Sequence, residues 1–257
     1  MIVNRLHVLA LVLATAPASG LVLADEAAAP RAAASPSAET NAPGTGTITG
    51  KVVYKSDPKR PWRLGRYYIK NPATGDLAEA VVAISRKGLK GPDAAREPQT
   101  ATIDQKDFQF TPETIAIRAG DRVKFTNSDP QIHNVQASHA RQSFNVNMQP
   151  GGEHLQPFPS AGGIRQPYRV GCVFHGAMRS WVYVFDHPWF QVTGADGTFR
   201  LSNVPPGEYR LEVAHPAGDL QSSQKITVKA GESTAVEVPL SPDDQPKDKN
   251  DTSRGQR

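Results

Sequence analysis

Short apolar runs that alternate with polar residues recur along this chain of 257 residues, and turn-forming residues separate them. The chain contains 22 Pro and 21 Gly, and its apolar runs are too short for the faces of a helical bundle. A period of two is typical of half-buried strands, and closely spaced turns are typical of β-sandwiches. The sequence therefore predicts an all-β fold.

The predicted strands fall into two groups, which favours two β-domains in a chain of this length. The first group forms a domain at 100–187, with strands at 108–112, 114–118, 122–127, 131–136, 166–174 and 180–185. The second group lies on both sides of it, at 46–54, 79–85, 190–193, 198–202, 208–214, 226–229 and 234–240.

The amino terminus has the features of a secretory signal peptide at 1–24. A basic start precedes an apolar run, and small residues allow cleavage after Ala18 or Ala24. An uncleaved membrane anchor is the alternative, but Pro17 and Gly20 interrupt the run. We therefore expect a periplasmic or otherwise exported protein without a stable membrane span after cleavage. Residues 25–45 and 241–257 are poor in large apolar groups and are predicted to be a disordered linker and tail.

Cys172 is the only cysteine of the chain. It cannot form an intramolecular disulfide, and in an oxidising compartment a free thiol needs burial or a ligand. It begins the pattern Cys172-x-x-His175-x-x-Met178. With 7 His and 3 Met in 257 residues, chance gives this pattern about once in three thousand cases. A buried core thiol remains the alternative interpretation of the cysteine alone.

A thiolate, an imidazole and a thioether at intervals of three on a loop can face one point. Two imidazoles, a thiolate and a weak axial thioether are the ligands of a copper site that cycles between two oxidation states. His133, on the predicted strand at 131–136 and about forty residues earlier, is the candidate for the second imidazole. Zinc is disfavoured because Met is not among its usual ligands.

On these residues, 100–187 resembles a type 1 blue copper domain of the plastocyanin and amicyanin kind, a cupredoxin with a Greek-key β-sandwich. The resemblance implies one copper per chain, with His133, Cys172 and His175 as equatorial ligands and Met178 as the axial ligand. It also implies that Asn134, next to His133, ties the two ligand loops together. Gly176 and Ala177 stand where relatives often carry Pro and an aromatic residue, so no reduction potential is transferred.

The remaining strands resemble a carboxypeptidase regulatory-like, transthyretin-like β-sandwich. In that family, turns like those at 196–199 and 205–209 precede strands, and the domain opens with a strand like that at 46–52. This similarity implies one sandwich formed by 46–91 and 188–240 and interrupted by the copper domain. Two independent β-segments are the alternative.

The junction at 186–189, Asp-His-Pro-Trp, is similar to that of bacterial methylamine-utilisation or plastocyanin-like envelope proteins. The resemblance implies an electron carrier rather than an enzyme, with a cytochrome or dehydrogenase as redox partner and an envelope or cell-wall surface as a further candidate. Copper storage or delivery is one alternative, and a structural or carbohydrate-binding envelope protein with a stabilising copper site is another. The 29 Lys and Arg are interspersed with 25 Asp and Glu, which does not favour nucleic acid as a partner. The other histidines are interpreted as loop residues: His139, His154, His187 and His215.

Overall fold

A computed structural model describes residues 41–92, 96–218 and 220–244. The predicted signal peptide, most of the linker and residues 245–257 lie outside them. No helix in the described part of the chain is both long and apolar enough to cross a bilayer. The fold is all-β, with one short helix, α1, at Trp62–Arg66 and these strands: β1 Gly46–Tyr54, β2 Val81–Ser85, β3 Thr100–Lys106, β4 Gln109–Thr111, β5 Thr114–Arg118, β6 Arg122–Asn127, β7 His133–Ala137, β8 Phe144–Met148, β9 Glu153–Pro157, β10 Tyr168–Gly171, β11 Arg179–Phe185, β12 Phe190–Val192, β13 Thr198–Val204, β14 Gly207–Ala214, β15 Gln221–Val228 and β16 Ser233–Leu240.

Strands β3 to β11 form the first sandwich. One sheet has the order β4-β3-β6-β9 and the other β5-β11-β10-β7-β8. Alternate side chains point inward along each strand, so Val123 and Phe125 of β6 are fully buried while Arg122 is exposed. The apolar cluster between the sheets includes Cys172 and Met178. The core of this sandwich therefore extends into the loop that carries the predicted ligands.

The second sandwich takes strands from both sides of the first in the sequence. Its sheets have the orders β13-β1-β16 and β12-β2-β14-β15. Strand β1 pairs antiparallel with β13 and parallel with β16, and β2 pairs antiparallel with both β12 and β14. Fully buried Ile48, Val52, Ile84 and Leu211 lie in its core.

Outward faces of the two sandwiches pack on each other. Val81 and Ala83 of β2 form a buried cluster with Tyr183 and Phe185 of β11. The exposed fractions of these four side chains are at most 3%. Burial raises the pKa of Tyr183 to about 12. This contact removes apolar surface from water, which holds one sandwich against the other.

Two ends of the described chain differ from the sequence-based expectation. Residues 41–45 were predicted as linker, yet the Ala42 N–H donates to Asn203 Oδ1 at 2.7 Å. Residues 241–244 were predicted as tail, yet a 3₁₀ turn forms at Pro242–Asp244. The Asp243 carboxylate accepts hydrogen bonds at 2.9 Å from Arg63 and Arg60, and the bond from Arg63 is the main cause of its lowered pKa. These polar contacts order both segments without apolar residues.

Candidate metal centre

The loop between β10 and β11 carries three of the four predicted ligands. Because Gly171 and Arg179 face each other across the two strands, the intervening seven residues close a hairpin. Within it, the His175 N–H donates to the Cys172 carbonyl at 3.4 Å and the Met178 N–H donates to the His175 carbonyl at 2.9 Å. These turns bring residues three apart in sequence to the same end of the sandwich.

His133, at the start of β7, lies beside this loop. Its Nδ1 is 3.2 Å from Nδ1 of His175, and Cys172 Sγ is 3.6 Å from the same His175 atom. The potential ligand atoms of the three residues all lie within 4.8 Å of one another. His133 and Cys172 are buried, with exposed fractions of 0% and 6%, whereas His175 is partly exposed. The structure thus brings together two imidazole nitrogens and one sulfur.

Asp129 fixes which nitrogen of His133 faces this cluster. Its Oδ2 lies 2.7 Å from His133 Nε2. An ionised carboxylate can only accept a hydrogen bond, so Nε2 carries the proton and the neutral ring has its lone pair on Nδ1. The lone pair of Nδ1 is what a metal ion would bind. This donor set therefore fits copper, and the orientation of the ring is set by a carboxylate, as is common behind metal-bound histidines.

Asp129 also holds the turn between β3 and β4. Its carboxylate accepts the N–H groups of Asp107 at 2.7 Å and Phe108 at 3.0 Å. Burial alone would raise the pKa of Asp129, but these bonds and the one from His133 outweigh it and lower that pKa. Asp129 was not among the site residues predicted from the sequence.

Phe108 is placed by that turn against both histidine rings. Its ring centroid lies 5.5 Å from His133 and 5.0 Å from His175, in edge-to-face contacts. Asp107 and Phe108 both have positive φ, 54° and 58°. Asp129 therefore holds both the ring of His133 and the backbone of Phe108, whose side chain packs on the two histidine rings.

Met178 lies next to Cys172 in the packed core of the first sandwich and is 2% exposed. Both residues line an open cavity of about 240 Å³ together with Gly176 and Arg179. A side chain added at Gly176 would meet no atom within 4 Å. The loop is thus open on the Gly176 side.

Asn134 makes contacts that differ from the expected ones. Its Nδ2 donates to Asn147 Oδ1 at 3.1 Å, to the Val146 carbonyl at 3.2 Å and to Asn145 Oδ1. All three acceptors belong to β8. Asn134 is itself buried, with an exposed fraction of 1%, and lies opposite Asn147 of β8. These amide bonds tie β7 to β8, whereas the resemblance implied a link between the ligand loops.

Several exposed apolar side chains contact the candidate ligands or lie next to them in the sequence. Besides Phe108, these are Ile132, Val173 and Phe174, with exposed fractions of 46%, 41%, 57% and 50% respectively. Phe108 lies in the turn between β3 and β4, Ile132 directly precedes His133, and Val173 and Phe174 lie between Cys172 and His175. Exposed large apolar residues beside a candidate site favour an interaction surface there.

Comparison with known proteins identifies two families along the chain. Residues 98–184 match the copper binding proteins of the plastocyanin/azurin family, and residues 186–241 match the carboxypeptidase regulatory-like domain. A search of curated proteins gives no match.

Several solved structures are similar to part of the chain. Amicyanin from Paracoccus versutus is 19% identical, with a TM-score of 0.30, and the match covers 40% of this chain and 96% of amicyanin. A purple cupredoxin from Nitrosopumilus maritimus is 24% identical, with a TM-score of 0.28, and covers 33% of this chain and 98% of its own. A copper-containing nitrite reductase from Thermus scotoductus is 20% identical, with a TM-score of 0.32, and covers 38% of this chain and 25% of its own.

The family matches confirm the predicted resemblance to a cupredoxin and to a carboxypeptidase regulatory-like domain. The chain therefore carries a cupredoxin-like copper-binding domain, and the His133, Cys172 and His175 cluster lies within the matched segment.

Proposed function

We propose that the protein is an exported type 1 copper protein that carries single electrons between redox partners and catalyses no bond-making reaction. One copper per chain would be held by His133, Cys172 and His175, with Met178 as the axial ligand. The convergence of two imidazole nitrogens and the sulfur of Cys172 within 4.8 Å is the observation on which the proposal rests. When bound, copper supplies one-electron redox chemistry with this ligand set.

The surrounding residues support a site whose geometry stays nearly constant. His133 lies at the start of strand β7 and its ring is held by Asp129, and Cys172 directly follows strand β10. Phe108 packs edge-to-face against both imidazole rings and so limits how far they can move. A site that is already arranged for the metal needs little rearrangement when an electron arrives or leaves.

We place the electron exchange at the edge of His175. That ring is partly exposed and contacts Phe108, and the exposed Ile132, Val173 and Phe174 adjoin the proposed ligands in the sequence. An apolar surface lets water leave the contact with a partner. The partner can then come close enough for electron transfer without forming a permanent complex. We propose a cytochrome or a dehydrogenase as the class of partner.

The second sandwich has a separate role in this proposal. We interpret the chain as a regulatory-like sandwich, 46–91 and 188–240, into which the copper domain at 100–187 is inserted. The pairing of β1 with β13 and β16 supports this division. The predicted export places the second sandwich where it could attach the carrier to an envelope or cell-wall surface.

Voltammetry of the copper-loaded, full-length protein tests the carrier function. We expect a reversible one-electron wave and slow loss of copper to a chelator. An irreversible wave together with rapid release of copper would instead indicate a storage or delivery protein. Turnover of nitrite by the loaded protein would contradict the proposal that it is not an enzyme.

A further inference from the structure

We call the segment 172–178 between β10 and β11 the metal loop. The connection between β1 and β2, which belongs to the second sandwich, contacts the end of this loop. Tyr68 Oη donates to Glu113 Oε1 at 3.0 Å and accepts from Arg179 Nη2 at 3.0 Å. Arg179 Nε donates to the same Glu113 oxygen at 3.2 Å. Each of the three side chains bonds to the other two, and Arg179 directly follows Met178. We call this group the Tyr68 triangle.

Tyr68 is held firmly on the side of the second sandwich. It lies just after α1 and has a φ of 57°. A bulky residue rarely adopts this left-handed conformation, which persists only where the surrounding structure imposes it. The neighbouring Ile69 N–H donates to the Leu64 carbonyl at 2.8 Å, and the Tyr68 ring lies 6.0 Å from that of His215. The hydroxyl is thus presented to Arg179 from a fixed backbone.

The metal loop has weak restraints of its own. The hydrogen bonds from Cys172 N–H to the Met178 carbonyl and from His175 N–H to the Cys172 carbonyl are both long, at 3.4 Å. Gly176 borders open space, so no neighbouring side chain packs against the loop at the position of its missing Cβ. Core packing and its own N–H bond at 2.9 Å restrain Met178, and the residues that follow it supply a further restraint at the end of the loop.

Those residues are fixed on Glu113. The Trp181 N–H donates to the Glu113 carbonyl at 2.7 Å, and Ser180 Oγ donates to the same carbonyl at 2.8 Å. The side chain of Glu113 in turn binds Arg179 and Tyr68. Hydrogen bonds that involve charged groups are stronger than neutral ones. The end of the loop is therefore attached to a residue that the second sandwich itself holds.

We propose that Tyr68 is a positioning residue for the copper site: it fixes Arg179 and Glu113, and thereby places Met178. The second sandwich would then set the position of the proposed axial ligand in addition to packing against the copper domain. The part that concerns the copper rests on the proposed function, whereas the placement of Met178 can be measured without metal.

Amide hydrogen exchange by NMR on the metal-free, full-length protein tests the placement. In Tyr68→Phe, we expect the Met178 N–H, bonded to the His175 carbonyl at 2.9 Å, to exchange roughly tenfold faster, as the loss of one ordinary hydrogen bond allows. Tyr209→Phe is the matched control. It removes the bond from Tyr209 Oη to the Pro205 carbonyl, elsewhere in the second sandwich, and should leave Met178 unchanged.

A second variant keeps the test decisive if Tyr68→Phe is poorly folded. Glu113→Gln keeps the size of the side chain and removes its charge, and should also speed the exchange at Met178. If Met178 exchanges at the wild-type rate in both folded variants, while only the unfolding midpoint falls, Tyr68 merely joins the sandwiches and the inference is wrong.

The copper-loaded proteins give the second readout. We expect Tyr68→Phe, and not Tyr209→Phe, to change the relative intensities of the visible bands and to release copper to a chelator several-fold faster. A wild-type protein that binds no copper would overturn the proposed function, while the exchange result would still decide the placement of Met178. Identical spectra and release rates in the wild type and Tyr68→Phe would overturn the role of Tyr68 at the copper.

Discussion

His133 in the first sandwich and His215 in the second are both almost inaccessible to solvent, with exposed fractions of 0% and 3%. His133 has a carboxylate on one ring nitrogen and faces two potential metal ligands with the other. His215 accepts the Ala217 N–H at Nδ1, and burial lowers its pKa to about 4. His133 thus directs one ring nitrogen at other potential ligands, whereas Nδ1 of His215 is used within its own turn.

The two sandwiches differ in the same way as these histidines. The first places a thiol and imidazoles at one end of its core, next to apolar side chains that stay exposed. The second fills its core with aliphatic and aromatic residues. The first sandwich therefore holds the candidate metal site, whereas the second contributes a separate apolar core.

The largest expected effect comes from Cys172→Ser. We expect the intense thiolate-to-copper absorption to disappear completely, because serine cannot supply the sulfur ligand. The measurement is the visible spectrum after addition of copper(II). The urea unfolding of the second sandwich should stay unchanged, and a variant that keeps the band would contradict the assignment of Cys172.

Leu211→Ala should have the opposite result: it should lower the stability of the second sandwich and leave the copper absorption unchanged. Leu211 is fully buried in the second sandwich, and such truncations cost about 2–5 kcal/mol of stability. Urea unfolding followed by fluorescence measures this loss. We expect the copper absorption of the folded variant to match that of the wild type. Loss of the band under conditions where the variant is folded would mean that the two sandwiches are not separable.

Acid should weaken the second sandwich through His215. Its pKa is about 4 in the folded state and 6.5 in the reference state, so the unfolded chain binds the proton first. The stability is therefore complete above pH 6.5 and is lost as the pH falls towards 4, by about 3 kcal/mol at most. Urea unfolding at several pH values, compared with His215→Gln, measures it. An equal pH dependence in both proteins would contradict the effect.

The smallest expected effect is that of Asp129→Asn. The amide keeps the shape but loses the charge that orients His133, and changes behind a ligand typically weaken metal binding about 10–100-fold. Competition with a chelator measures the affinity. Asp104→Asn is the matched control, since Asp104 accepts bonds from Thr126 and Ser128 in the same sandwich. Equal affinities in the two variants would show that Asp129 has no specific role.

Local sequence patterns predicted several parts of this structure well. The bounds of β1, β5 and β6 agree with the alternation of apolar residues in the sequence. Cys172, His175 and Met178 lie on one loop between β10 and β11. Because they are only three residues apart, their spacing in the sequence was enough to predict this.

Features that depend on distant contacts were not predicted. Asp129 acts on a turn 22 residues away in sequence. Strand β9 contains Leu155 as its central apolar residue, and that side chain is 49% exposed, so pairing with β6 rather than burial defines the strand. Strand β8 does alternate, with Phe144, Val146 and Met148 on one face, and could have been found. The contacts of Asn134 follow from β8 and were missed with it.

Titration of the purified wild-type protein with copper(II), followed by visible absorption, tests the central claim most directly. We predict an intense thiolate-to-copper band that grows linearly and saturates at one copper per chain. Binding of copper without that band, or no binding at all, would contradict ligation by His133, Cys172 and His175.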